Sequence, residues 1–351
     1  MTDPLALARE DILALEPYAH ACWDPGLERL HANESPWRCP SDATRAGLNR
    51  YPEPQPKELV AALAALYDVP TSRLLLGRGS DEGIDLLVRA FCVAGRDSIL
   101  VCPPTFGMYA VAARIQGASV TSVPLRRDRD YSLDAAAMLA ALTPNTKLIF
   151  VCTPNNPTGN SLDPVAIEEV LRGTEGRALV VIDEAYAEFS TSASWTAALS
   201  RWPHLVVLRT LSKAQGLAGA RVGCVLADPR IIELLRKIIP PYAIAQTTVE
   251  AALLALSPSQ LFASRERVAL LCRERDRLAS RLARSAAVLR VWPSDANFLL
   301  VDFENAENAL ARFTAAGLLV RDQRRQGGLE RALRITVGTP EQNDLIIASL
   351  T

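Results

Sequence analysis

KLIFVCTPNNPTGN (147–160), ALVVIDEAYAEF (178–189) and LVVLRTLSKAQGLAGARVG (205–223) decide the reading of this chain. Each opens on a short apolar run rich in β-branched residues: 147–152, 178–183 and 205–210. Such runs, bounded by polar and turn-forming residues, predict strands buried on both faces. Helical stretches lie between most of the chain's apolar runs. Strand–helix alternation of that kind argues for a mostly parallel sheet covered by helices. In open α/β sheets ligands bind beyond the carboxyl ends of the strands, so the polar residues that close each run are the candidates for chemistry.

The first run ends in Thr153-Pro-Asn-Asn-Pro-Thr-Gly159, where two prolines and a glycine fix a tight backbone and present Asn155 and Asn156; the plain alternative is an ordinary turn. The second ends in Asp183-Glu184-Ala185-Tyr186. Asp183 follows Leu179, Val180, Val181 and Ile182. A carboxylate there is costly to bury unless it is paired, and a protonated pyridine nitrogen is one such partner. Tyr186 can reach the same ligand. The alternative is a helix N-cap. The third run leads to Ser212 and Lys213, then Gly216, Gly219, Arg221 and Gly223. Hydroxyls, exposed backbone N–H groups and an arginine suit a phosphate. A lysine desolvated beside them has a lowered pKa and can act as a Schiff-base nucleophile; without that context it is a surface lysine.

Further out, Arg78-Gly-Ser-Asp-Glu-Gly83 precedes IDLLVRAF. A helix starting at that point, with Ser80 or Asp81 as N-cap, offers backbone N–H groups to a phosphate. No G-K-S/T follows, so this is not a Walker loop, and no G-x-G-x-x-G follows a strand. SILVC (98–102) and ASVTSVPL (118–125) predict strands; YAVAARIQG (109–117) and LDAAAMLAAL (133–142) predict helices. After about residue 250 the character changes. RERVALLCRERDRLASRLARS (265–285) predicts a long helix, followed by three possible strands (VLRVW, ANFLLVDF, ALRITVG) and a helix (NALARFTAAGL). The expected division is an arm over 1–40 that joins the small domain and a dimer contact, a large domain over 41–250 and a small α+β domain over 251–351.

The 351 residues carry a formal net charge of −1. The tightest cluster of like charge, Arg126, Arg127 and Arg129, is interrupted by aspartate, so nothing suggests a polyanion-binding face or nucleic acid as partner. No basic n-region precedes an apolar stretch, and no run of about 18 apolar residues could span a bilayer. Seven cysteines without a C-x-x-C pair favour a reducing compartment, the cytoplasm. Three histidines (His20, His31, His204) show no ligand spacing, so no metal is expected. Lysine chemistry is confined to Lys57, Lys147, Lys213 and Lys237.

With HANESP (31–36), NRYPEPQP (49–56), RGSDEGID (78–85), CPPTFGMY (102–109), LVRDQ (319–323) and LRITVGT (333–339) added to the three segments above, the chain resembles the fold-type I, class I/II aminotransferases along nearly its whole length. Within them it looks like the branch that exchanges an amino group between L-glutamate and a phosphorylated imidazole keto compound. The resemblance implies pyridoxal 5′-phosphate as cofactor, held covalently by Lys213, with Asp183 on its ring nitrogen and Asn156 and Tyr186 on its 3-oxygen. It assigns the cofactor phosphate to Ser212, Arg221 and the backbone at Ser80 and Asp81, and ring stacking to Phe106, where tyrosine is frequent. Tyr51 would reach the neighbouring subunit's site, which makes a homodimer the working unit. Arg334 would bind the substrate's anionic end, with Arg321 and Tyr18 helping, and Asn33 would lie in the arm loop near the substrate. An aromatic aminotransferase and a phosphothreonine-type decarboxylase share these motifs. A DNA-binding regulator on the same fold would need a module ahead of His31, and a scaffold role would leave Lys213 and Asp183 unexplained.

Overall fold

The computed structural model describes residues 3–20 and 26–350; Cys22, counted above, lies outside them. Seven strands make the larger sheet: β1 (Leu74–Gly77), β2 (Ser98–Val101), β3 (Ser119–Ser122), β4 (Thr146–Cys152), β5 (Leu179–Asp183), β6 (Leu205–Thr210) and β7 (Gly223–Leu226). Their spatial order is β1-β7-β6-β5-β4-β2-β3, with the pairs from β3 through β6 parallel and β7 antiparallel to both its neighbours. The continuous apolar runs now have their reason. Val180, Ile182 and Val207 face one core layer; Leu179, Val181, Val206 and Leu208 face the other. Both faces are dry, so the inner positions of these strands are apolar and polar residues fall only at their ends.

A second, antiparallel sheet holds β8 (Val288–Val291), β9 (Phe298–Phe303), β10 (Arg321–Asp322) and β11 (Ala332–Thr336), ordered β10-β11-β9-β8. The 25-residue helix Pro258–Leu282 packs against β8, β9 and helix Pro340–Ala348. A small apolar cluster joins the two parts: Tyr186, Phe189 and Ala214 from the large sheet's loops meet Ala296 and Phe298 from the small one. No described helix is long and apolar enough to cross a membrane.

Several expectations need correction. Strands β1, β7 and β10 were not foreseen, being four, four and two residues long. The long helix starts seven residues earlier than 265, with Pro258 in its first turn, where a missing N–H costs nothing. Helix Ser80–Phe91 is capped by neither Ser80 nor Asp81: its N-cap is Gly79, at φ 79°, with no side-chain cap. The start of the arm lies on the large layer rather than the small domain. Leu7 is buried there against helix residues such as Ile231 and Leu235, and the Arg9 N–H donates to the Ala90 carbonyl at 3.0 Å.

Candidate active site

Because β4, β5 and β6 are immediate neighbours, the three polar segments at their carboxyl ends are forced together. One cleft is lined by Asn156, Asp183, Tyr186, Ser212, Lys213 and Arg221, with Ser80, Asp81 and Phe106 on its remaining walls.

Asp183 ends β5 and is 2% exposed. Its Oδ2 accepts from the Tyr109 hydroxyl at 2.8 Å and its Oδ1 from the Ala185 N–H at 3.1 Å. The helix-cap alternative fails, since only this turn is capped. Burial pushes the Asp183 carboxyl up to about 6, while the two hydrogen bonds pull it down. Tyr109 was missed from the sequence. It is fully buried, stacked on Phe150 with ring centroids 4.7 Å apart. Its ring meets that of Phe106, three residues earlier in sequence, edge-on at 5.6 Å.

Lys213 sits in the turn after β6, its Nζ 5.6 Å from the centre of the Tyr186 ring. Burial, then the nearby Arg334 cation, lowers its pKa, so the amine releases its proton more readily. The two asparagines separate in role. Asn156 donates from Nδ2 to the Tyr186 hydroxyl at 3.3 Å, and its Oδ1 accepts a short bond from Arg334 Nη1. Asn155 builds the turn instead: its Nδ2 donates to the Pro104 carbonyl (2.8 Å) and Thr158 Oγ1 (2.7 Å), and its Oδ1 accepts from Thr105 (2.9 Å). Burial raises the Tyr186 pKa, which keeps its hydroxyl a proton donor.

The other end of the cleft is a backbone cup. Gly223 lies so close to the start of helix Ser80–Phe91 that a Cβ there would stand 2.5 Å from Gly79 C and Ser80 N. Arg221 takes a left-handed conformation, φ 56°, rare for a residue with a side chain. That turn brings Arg221 Nη1 to 3.2 Å from Ser212 Oγ and Nη2 to 2.9 Å from Asp81 Oδ2.

The remaining predicted residues stand apart from the cleft. Tyr51 is 48% exposed and stacks on Tyr242 at 4.6 Å. It shares a separate hollow with Asn33, which is left-handed at φ 55°. Tyr18 is exposed, with His20 the ring beside it at 6.1 Å. Arg321 faces Arg334 across the β10–β11 pair and is exposed.

This set of groups fits pyridoxal 5′-phosphate. An uncapped helix start, a guanidinium and a hydroxyl suit the phosphate. A buried acid with no cationic side-chain partner among the described residues suits the protonated ring nitrogen. The Lys213 amine opens on the same cleft.

The family described as "Aminotransferase class I and II" matches residues 33–350. A histidinol-phosphate aminotransferase of Xylella fastidiosa (strain 9a5c) is 51% identical over 323 residues, 92% of this chain and 88% of that one. Another, from Xanthomonas euvesicatoria pv. vesicatoria (strain 85-10), is 48% identical over 99% of this chain and 96% of its own length. Among solved structures, the histidinol-phosphate aminotransferase of Sinorhizobium meliloti in complex with pyridoxal-5′-phosphate superposes with a TM-score of 0.75 at 26% identity, covering 86% of this chain and 82% of that one.

Proposed function

The chain belongs to the class I and II aminotransferases, and we propose that it catalyses the histidinol-phosphate aminotransferase reaction of L-histidine biosynthesis. The amino group passes between L-glutamate/2-oxoglutarate and imidazole acetol phosphate/L-histidinol phosphate. The observation that carries this is the convergence, in one cleft, of the Lys213 amine, the Asp183 carboxylate and the Asn156–Tyr186 pair, with Arg334 bonded to Asn156.

When bound, pyridoxal 5′-phosphate supplies an aldehyde for the incoming amine and a protonated ring that withdraws electrons from the substrate Cα. Lys213 holds it covalently between turnovers. With the cofactor bound, the Lys213 amine would remove the proton at the donor's Cα, and its lowered pKa favours the neutral, basic form. Asp183 keeps the ring nitrogen protonated, and Tyr109 keeps Asp183 ionised by donating to it. Tyr186 and Asn156 hydrogen-bond the 3-oxygen. Phe106 offers a π-face but no hydroxyl. Ser212, Arg221 and the N–H groups of Ser80 and Asp81 hold the phosphate.

Arg334 receives the substrate's anion, with Arg321 beside it and Tyr18 and Asn33 closing over the substrate. The site must take a γ-carboxylate in one half-reaction and a phosphate in the other, and a planar guanidinium fork pairs with either. The working unit is a homodimer in the cytoplasm, with Tyr51 reaching the neighbour's cofactor phosphate. The exposure of Tyr51 and its place outside its own chain's cleft support that reading.

The test is an acceptor screen on the glutamate-loaded enzyme. Imidazole acetol phosphate should be aminated with a kcat/KM at least about 100-fold above that for phenylpyruvate, because a site shaped for a doubly charged phosphate and a hydrogen-bonding imidazole is only partly paired by a single carboxylate and a neutral phenyl ring. Equal efficiency on both would make it an aromatic aminotransferase, and CO₂ release from a phosphorylated amino acid would make it a decarboxylase.

A further inference from the structure

The arginine cluster that the charge pattern singled out, Arg126, Arg127 and Arg129, includes a side chain that turns onto the small sheet. Arg127 crosses from the large sheet's side to the small sheet. Its Nη2 donates to Asp302 Oδ2 at 2.8 Å and its Nη1 to the Gly328 carbonyl at 2.7 Å. Asp302 is on β9, with a side chain only 6% exposed; Arg127 itself is 46% exposed. The same Oδ2 accepts from Trp292 Nε1 at 3.0 Å.

Around this bond the contact is dense. Trp292 is 3% exposed, with the Arg290 guanidinium 3.7 Å and the Arg127 guanidinium 5.6 Å from its ring centre. Arg290 in turn makes a short ion pair with Asp130. The Tyr131 ring packs on Trp292 at 4.6 Å. Asp130 and Tyr131 are consecutive left-handed residues, at φ 52° and 58°. Two such residues in a row, neither of them glycine, cost free energy that the surroundings must offset. Here the offset is the grip of residues 127–131 on the second sheet.

What the grip holds is the strand that carries Arg334. Asp302 is the register partner of Ala332, and Leu300 that of Arg334 on the same strand pair. Gly328 lies in the loop that feeds β11 through the buried Leu329. Arg127 therefore pins β11 from two sides: through its hydrogen-bonded neighbour β9, and through its incoming loop. Arg334 is two residues beyond the pinned pair, and its guanidinium reaches Asn156 on the other sheet. Besides the pin, the small sheet is held to the cleft side by the apolar contact of Tyr186 with Phe298 and its neighbours, by the Asp295 N–H donating to the Gly159 carbonyl at 2.8 Å, and by the Arg290–Asp130 pair, but these do not touch the loop that feeds β11.

We infer that Arg127 is a positioning residue for substrate binding: by tying Asp302 and the Gly328 carbonyl to the large sheet, it sets where the Arg334 guanidinium stands relative to the cleft. The inference rests on the reading of Arg334 as the anion receptor. It predicts that loosening Arg127 weakens binding of anionic substrates while leaving the cofactor end of the site intact.

The experiment uses cofactor-loaded R127A, R127K, D302N and, as control, R334K. It measures KM for glutamate, kcat, and the equilibrium dissociation constant of the dicarboxylate maleate from the change in the cofactor's visible band. R127A should raise KM and the maleate constant by about tenfold or more with kcat within about threefold, because a displaced receptor loses ground-state and transition-state binding alike. R127K, which keeps the charge but not the fork, should fall between wild type and R127A. D302N, which keeps an acceptor for both Arg127 and Trp292, should stay within about threefold of wild type. Cofactor content and absorbance should be unchanged in all four. A lowered melting temperature in R127A with unaltered KM and maleate binding would show a merely structural clamp and overturn the proposal. If R127A does not fold, unaltered constants in R127K overturn it equally. If R334K itself leaves maleate binding unchanged, the anion-receptor reading fails, and the positioning role fails with it; if R334K weakens maleate but R127A and R127K do not, only the positioning role falls.

Discussion

Replacing Lys213 by alanine is expected to lower kcat by about 10⁴-fold or more and to remove the visible absorbance of covalently held cofactor. The size follows from the absence of a substitute. The Lys147 amine donates to the Pro144 carbonyl and the Lys237 amine to the Leu13 carbonyl. The Lys57 amine faces Glu53 on an exposed helix start. None of the three lines the cleft. Losing Lys213 therefore removes both the covalent anchor and the base. Tyr186, whose pKa is raised by burial, remains a proton donor and cannot take over as base. The variant should still fold, because the Lys213 side chain leaves a space open to the cleft rather than a closed cavity. Steady-state kinetics with an absorbance spectrum check this, and an active, coloured variant would reject the assignment of Lys213.

Asp183→Asn should retain cofactor, lose about 10³-fold in kcat, and at the same time stabilise the cofactor-free protein near neutral pH. The rate loss follows because an amide cannot keep the ring nitrogen protonated, and electrostatic stabilisation of this kind is worth roughly 3–4 kcal/mol. The stability gain comes from the same burial. In the folded protein the Asp183 carboxyl holds its proton up to about 6, against 3.8 ordinarily. Between about pH 4 and pH 6 the folded chain thus binds a proton that the unfolded chain has released, so this group's contribution falls as pH rises through that window. Above it, the buried carboxylate costs as much as roughly 3 kcal/mol, and asparagine carries no such cost. Melting curves of cofactor-free wild type and variant should coincide near pH 4 and separate by pH 7.5, with the variant higher. Near-normal kinetics would exclude Asp183 as the ring's partner. A variant no more stable than wild type at pH 7.5 would show that the carboxylate is already paired within the protein.

The sheet's centre was legible in the sequence because its strands are dry on both faces. Nothing but apolar residues fits 148–152, 179–182 and 205–208, and the polar residues that end those runs stand out. The strands that went unseen are short or at the edge of the pattern. β1 and β7 are four residues each, and β7 runs against the others after a glycine-rich turn that reads as loop. Asp183, Asn156, Tyr186 and Lys213 were legible because each follows directly on a strand end. Tyr109 was not, because a buried tyrosine on an apolar helix face is indistinguishable from core until its hydroxyl is placed. Arg127 was visible only as charge. Its partners Asp302 and Gly328 lie some 175 and 201 residues away, a separation that no local pattern spans. Tyr51, Asn33 and Tyr18 lie outside the cleft, and nothing in a single chain's local pattern says what they face.

The most direct test of the central claim is the absorbance spectrum of the purified protein, followed through additions of histidinol phosphate and then 2-oxoglutarate. A visible band should fade as histidinol phosphate donates its amino group and return when 2-oxoglutarate accepts it. A colourless protein that binds no added pyridoxal phosphate, or a band untouched by histidinol phosphate, would contradict it.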